Sequence, residues 1–216
     1  MISDKQFARE LAGELLDINA VLLRPANPFV WSSGWNSPIY CDNRLTIHYP
    51  ALRKKIAGKL TEVITDNYPD IDVVTGTATA GIPHTAWVAD RLDKPMAYVR
   101  AKAKSYGMGN QIEGGVRKGE STVVIEDLIS TGTSALSVVE TLEFVGANVD
   151  AILTIFTYGF DVSNNKISEH NIRLHALTDY ETLVDVALEK NKIRHSDVAF
   201  LNDWRKRPDT WPGSGF

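Results

Sequence analysis

The stretch Thr122-Val123-Val124-Ile125-Glu126-Asp127-Leu128-Ile129-Ser130-Thr131-Gly132-Thr133-Ser134 decides the fold. Its first half is apolar and β-branched, the composition of a parallel strand buried on both faces. That strand is expected to end in two adjacent carboxylates, Glu126 and Asp127. Acids at the carboxyl end of such a strand face the crevice where open α/β sheets bind ligands. Small hydroxyl residues and a glycine follow at 130–134, and then a helical pattern. A turn of this kind presents backbone N–H groups, hydroxyls and a helix N-terminus to one phosphate. A helix N-cap on an ordinary turn has the same local composition. The order strand, acid pair, loop, helix favours a site for a phosphorylated sugar. Gly-Lys-Ser/Thr is absent, so the loop is not of the Walker A type.

Strand-like and helix-like segments alternate on both sides of this stretch. Strands are predicted over Val73–Gly76, Ala97–Arg100, Thr122–Asp127, Val149–Thr157 and Arg173–Leu177, with helices over Ile82–Leu92, Ser134–Val145 and Tyr180–Glu189. Another helical pattern runs from Pro50 to about Asn67. Such alternation predicts an α/β fold, a parallel sheet with helices on both faces. Phe7, Leu11, Leu15 and Ile18 recur at helical spacing behind the candidate caps Ser3 and Asp4, so the chain opens with an amphipathic helix. Pro25, Pro28, Gly34, Pro38 and Pro50 break the next segment into short strands and turns. Residues 101–119 show neither period and carry Gly107, Gly109, Gly114, Gly115 and Gly119. A loop of that length is usually functional or disordered.

Composition narrows the function. A chain of 216 residues with 44% hydrophobic content can build one sizeable core. The net charge of -4 argues against a nucleic-acid binder. Cys41 stands alone and cannot form an internal disulfide. The first residues lack a signal-peptide core, and no apolar run is long enough to span a bilayer, so a soluble cytoplasmic protein is expected. His48, His84, His170, His175 and His195 lack metal-ligand spacing and read as structural or exposed.

The 123–134 stretch resembles the signature with which type I phosphoribosyltransferases bind phosphoribosyl pyrophosphate (PRPP). Trp31-Ser32-Ser33-Gly34-Trp35-Asn36-Ser37-Pro38-Ile39-Tyr40, Thr79-Ala80-Gly81-Ile82-Pro83 and Tyr98-Val99-Arg100-Ala101-Lys102-Ala103-Lys104 narrow the resemblance to the orotate phosphoribosyltransferases, over about Leu11 to Leu188. The resemblance implies a Rossmann-like core with a small N-terminal hood over the base pocket. Its expected organisation is an N-terminal helix and hood at 1–48, a PRPP-binding core at 49–190 with a mobile loop at about 101–119, and a C-terminal helix and tail at 191–216. It also implies transfer of the ribose 5-phosphate of PRPP to orotate, with Mg2+, in a homodimer that shares loop residues across its interface.

Carried onto this sequence, the resemblance assigns catalysis to Lys104 and Asp127. PRPP is expected to meet Arg100, Lys104 and Tyr106, together with Glu126, Asp127, Leu128, Ile129, Ser130, Thr131, Gly132, Thr133 and Ser134. Orotate is expected to meet Ser130, Tyr40 and Arg44. Tyr40 either stacks on the pyrimidine or packs, and Arg44 is either a partner for the orotate carboxylate or a surface ion-pair residue. PRPP is expected to bring the metal, with Asp127 as its candidate protein ligand. The chain departs from common family residues at Ser32, Ala80 and Ala101, where relatives carry lysine, and at Tyr106, often histidine. Phe156-Thr157-Tyr158 stands where some relatives place an arginine against orotate. Two other functions fit the same PRPP half: a phosphoribosyltransferase for another base, and a regulatory protein that senses PRPP.

Overall fold

The structure, a computed structural model, describes residues 2, 4–31, 33–101 and 111–213. Asp4 caps the first helix, its carboxylate accepting the Phe7 N–H at 3.0 Å. Helix α1 (Lys5–Asp17) then turns Leu11, Ala12, Leu15 and Leu16 inward. The proline-punctuated segment forms two ribbons: β1 (Val21–Leu23) pairs antiparallel with β4 (Ile39–Cys41), and β2 (Phe29–Val30) with β3 (Asn36–Ser37). A 3-10 helix, Asn43–His48, leads into α2 (Pro50–Asn67). Pro50 occupies the first turn of α2, where its missing N–H costs nothing.

The main sheet has six strands in the order β10-β9-β8-β5-β6-β7. Its parallel members are β5 (Val73–Thr77), β6 (Met96–Val99), β8 (Ser121–Ile129), β9 (Asn148–Thr157) and β10 (Arg173–Asp179). Helices α3 (Gly81–Leu92), α4 (Thr133–Phe144), α5 (Asp161–Glu169) and α6 (Tyr180–Glu189) connect or follow them. Residues of β8 feed two cores. Val123 and Ile125 join α1, α2 and α6, whereas Val124 and Ile129 join α4.

From β5 the chain steps outward to β6, then returns past β5 to β8 and continues the other way. Strand order therefore reverses between β5 and β8, and the crevice at their carboxyl ends is the topological switch point.

Three segments differ from expectation. Strand β8 runs two residues past Asp127, because Leu128 and Ile129 stay in register with Phe156 and Thr157. The acids therefore lie inside the paired strand rather than at its end. Within 101–119, Ile112–Glu113 forms β7, an antiparallel edge strand in register with Val99 and Tyr98. Helix α5 was not expected, since only Ser163 and Ile167 of it are buried. At the other end, α7 (His195–Lys206) buries Leu201 and Trp204.

Helix α3 begins against β8 so closely that a Cβ on Gly81 would collide with the Ile125 carbonyl oxygen. Gly81→Ala is expected to cost about 1–3 kcal/mol by overpacking, read as a lower urea midpoint with unchanged m-value.

Candidate active site

Glu126 and Asp127 sit side by side at the switch point, Glu126 only 6% exposed. One Glu126 carboxylate oxygen accepts the Asp127 N–H at 3.0 Å. Burial, and then the neighbouring Asp127 charge, hold the Glu126 carboxyl well above its ordinary range; the Thr77 hydroxyl pulls weakly the other way. Asp127 is raised by burial too, and the Glu126 carboxyl and the Arg44 charge offset part of that rise. Glu126 is thus the proton-bearing partner, and the pair attracts hydroxyl donors or a cation. Asn43, absent from the expected site, donates its amide to the Asp127 carbonyl at 2.7 Å and ties the 3-10 helix to this strand.

Two helix N-termini open at the same crevice. Helix α4 starts at Gly132, which has φ 78° and no side chain to cap it, and α3 starts at Ala80, again without a side-chain cap. The first N–H groups of both helices are free of side-chain caps, and together with the helix dipoles they favour anions. Thr131 and Thr133 hydroxyls lie 3.1 Å apart beside the α4 N-terminus. The 130–134 turn and the acid pair are therefore adjacent.

Next to them opens a cavity of about 510 Å³, lined by hood residues that include Trp31, Trp35 and Tyr40, and by Leu128, Ser130, Thr131 and Tyr158. Trp31 and Trp35 stack at 6.4 Å and 19°. Tyr40 is 41% exposed and stands on the wall as expected. Trp31, Trp35, Cys41 and Tyr158, all on this wall, carry no site role in the sequence reading. For the two tryptophans the Trp31–Tyr40 motif is the one signal.

Arg44 is not on the cavity wall. Its guanidinium clamps Asp42 through two bonds of 2.6 and 2.7 Å, so the ion-pair alternative is the one the structure presents. Arg100 follows β6, two strands from β8, with Nε 3.3 Å from Glu113. Lys104 and Tyr106 lie outside the described residues. Among the described residues no lysine or arginine lines the cavity, and no three His, Cys, Asp or Glu side chains converge as a metal cage. One or two carboxylates beside a phosphate site nevertheless suit Mg2+, which keeps its water and substrate oxygens.

Comparison with known proteins settles the family. Residues 45–172 match the model of the phosphoribosyl transferase domain. The chain is 55% identical to an orotate phosphoribosyltransferase of Listeria innocua, over 94% of this chain and 97% of that protein. This chain belongs to the orotate phosphoribosyltransferase family. An orotate phosphoribosyltransferase structure from Aeropyrum pernix superposes with a TM-score of 0.72 at 32% identity, covering 84% of this chain and 98% of that one. UMP synthase of Leishmania donovani gives a TM-score of 0.75 at 28% identity, covering 91% of this chain but 42% of that longer protein. Among the described residues no helix is long and apolar enough to cross a membrane.

The raised carboxyls carry a pH signature. Above the ordinary glutamate value of 4.5 the unfolded chain has released a proton that folded Glu126 retains, so this group's contribution to stability falls as pH rises. Glu126→Gln removes that loss. In ligand-free protein the variant's melting temperature is expected to gain on the parent's steadily as pH is raised above 4.5, read by thermal unfolding across pH.

Proposed function

We propose that this chain transfers the ribose 5-phosphate group of PRPP to orotate, releasing pyrophosphate and orotidine 5'-monophosphate in pyrimidine nucleotide synthesis. One observation carries the reading: Ser130 and Thr131 belong to the phosphate loop and also to the wall of the aromatic cavity. A planar base among Trp31, Trp35, Tyr40 and Tyr158 then lies beside a sugar whose phosphate rests on residues 130–134. The cavity's size suits a small ligand, and the names of the relatives point to orotate as the base.

In this reading Glu126 and Asp127 accept the ribose hydroxyls and fix the ring. Attack by the base nitrogen on the anomeric carbon breaks the bond to pyrophosphate, and negative charge grows on the leaving group. Uncapped N–H groups at the start of α3 are aimed at that charge, and Arg100 and Lys104 add cations to it. The position of Arg100, two strands away from β8, supports donation of these residues to the other subunit's site in a homodimer. When bound, Mg2+ would further neutralise the pyrophosphate, and Asp127 and Glu126 are the carboxylates that would hold it. Shielding from water matters because an electron-poor ribosyl centre is open to hydrolysis.

Purified protein with PRPP and Mg2+ is expected to consume orotate, followed by its absorbance, and to leave uracil, adenine and xanthine unchanged. Chelating the metal is expected to stop the reaction. Asp127→Asn and Lys104→Ala should each lower turnover roughly 10- to 1000-fold with the fold intact. Nucleotide formed only from a purine, or unchanged turnover in both variants, would overturn the reading.

A further inference from the structure

The C-terminal helix reaches the base cavity without lining it. Trp204, fully buried on α7, has four aromatic rings around it: Trp31 at 5.7 Å, Tyr158 at 5.7 Å, Phe160 at 5.4 Å and Tyr180 at 5.5 Å. Two of these, Trp31 and Tyr158, belong to the cavity wall. They come from different parts of the molecule, Trp31 from the hood and Tyr158 from the end of β9.

Hydrogen bonds make the link directional. The Trp204 indole N–H donates to the Asn36 carbonyl at 3.1 Å, on the strand of the hood hairpin next to Trp35. Asn36 in turn donates its amide to the Pro212 carbonyl at 3.4 Å. The following residue, Arg205, donates from Nε to the Tyr158 carbonyl at 3.2 Å and from Nη2 to the Gly159 carbonyl at 3.3 Å. Gly159 has φ 63°, and a Cβ there would lie 3.0 Å from that guanidinium nitrogen. A single turn of α7 therefore grips both walls of the cavity, the hood through residue 204 and the β9 end through residue 205.

The hood needs such a grip. Each of its two ribbons has only two strands, and a two-stranded ribbon is marginal in water without packing. Trp31 passes the constraint onward: its backbone N–H donates to the Trp35 carbonyl at 2.9 Å and its indole to the Ile39 carbonyl at 3.1 Å. Trp35, one of these acceptors, and Tyr40, next to the other, also line the cavity.

We infer that Trp204 and Arg205 are positioning residues for the acceptor base: α7 sets the spacing of the aromatic walls while leaving the PRPP half of the site untouched. This rests on the reading of the cavity as the base site. Neither residue lines the cavity or touches the acid pair or residues 130–134; the link toward that loop is indirect, through the Tyr158 N–H, which donates to the Ile129 carbonyl at 3.0 Å.

The test is steady-state kinetics on full-length Trp204→Phe, which keeps a ring but loses the indole N–H, and on Arg205→Ala, a partly exposed position that leaves the core intact. Tyr40→Ala, on the wall itself, reports separately on the cavity. Both α7 variants are expected to raise KM for orotate roughly 3- to 10-fold, with KM for PRPP and kcat at saturating orotate within about twofold of the parent. A general loss of stability would move both KM values, or the active fraction, without separating the substrates. If Tyr40→Ala raises KM for orotate but neither α7 variant does, or if both α7 variants raise the two KM values in parallel, the inference on α7 fails alone. If orotate KM is unchanged in all three, the cavity is not the base site and both readings fall.

Discussion

Two carboxylates in succession on a buried strand are an electrostatic burden, and the site is organised around carrying it. Glu126 is buried and Asp127 half-buried, so desolvation raises both and the first holds its proton the longer. Their neighbours supply only partial relief: one backbone N–H, the Thr77 hydroxyl and the distant field of Arg44. The pair is costly for the fold, and its charge favours hydroxyl donors or a divalent cation on its side of the crevice.

That negative pair stands between two sources of positive potential. The N-termini of α3 and α4 both lack side-chain caps and both follow strands that flank the switch point. In the proposed reaction one would attract the phosphate of the sugar and the other the leaving pyrophosphate, with the acids between them for the hydroxyls. That arrangement fits a sugar phosphorylated at both ends.

This half of the site was legible because it is contiguous. A β-branched run, two acids, a hydroxyl-rich turn and a helix follow one another in the chain, and the periodicity of β5, β6, β8, β9 and β10 marked the sheet around them. Where burial is sparse the pattern failed: α5 hides only Ser163 and Ile167, and β7 is two residues whose strand character comes from pairing with Tyr98 and Val99. Arg44 had two readings in sequence, and its partner proved to be Asp42, two residues away. The cavity wall was least legible. Trp31, Trp35, Ser130 and Tyr158 converge only after the hood folds onto β8 and β9, and no local signal records that convergence.

The boundary of the family-domain match follows the same division. Its match covers residues 45–172, which hold the acid pair, the phosphate loop and both uncapped helices. Hood strands β1 to β4 and helix α7 lie outside it. The acid pair and the 130–134 turn are thus built from the matched sheet, while the cavity beside them combines that sheet, through Leu128, Ser130, Thr131 and Tyr158, with a hood wall from outside the match. The two chain ends meet at Trp204, whose indole donates to Asn36 while its ring packs on Tyr158. In the proposed reading this division has a physical reason: the sheet that would hold two phosphates is fixed by its own core, and a wall carried on two-stranded ribbons can be reshaped without disturbing it.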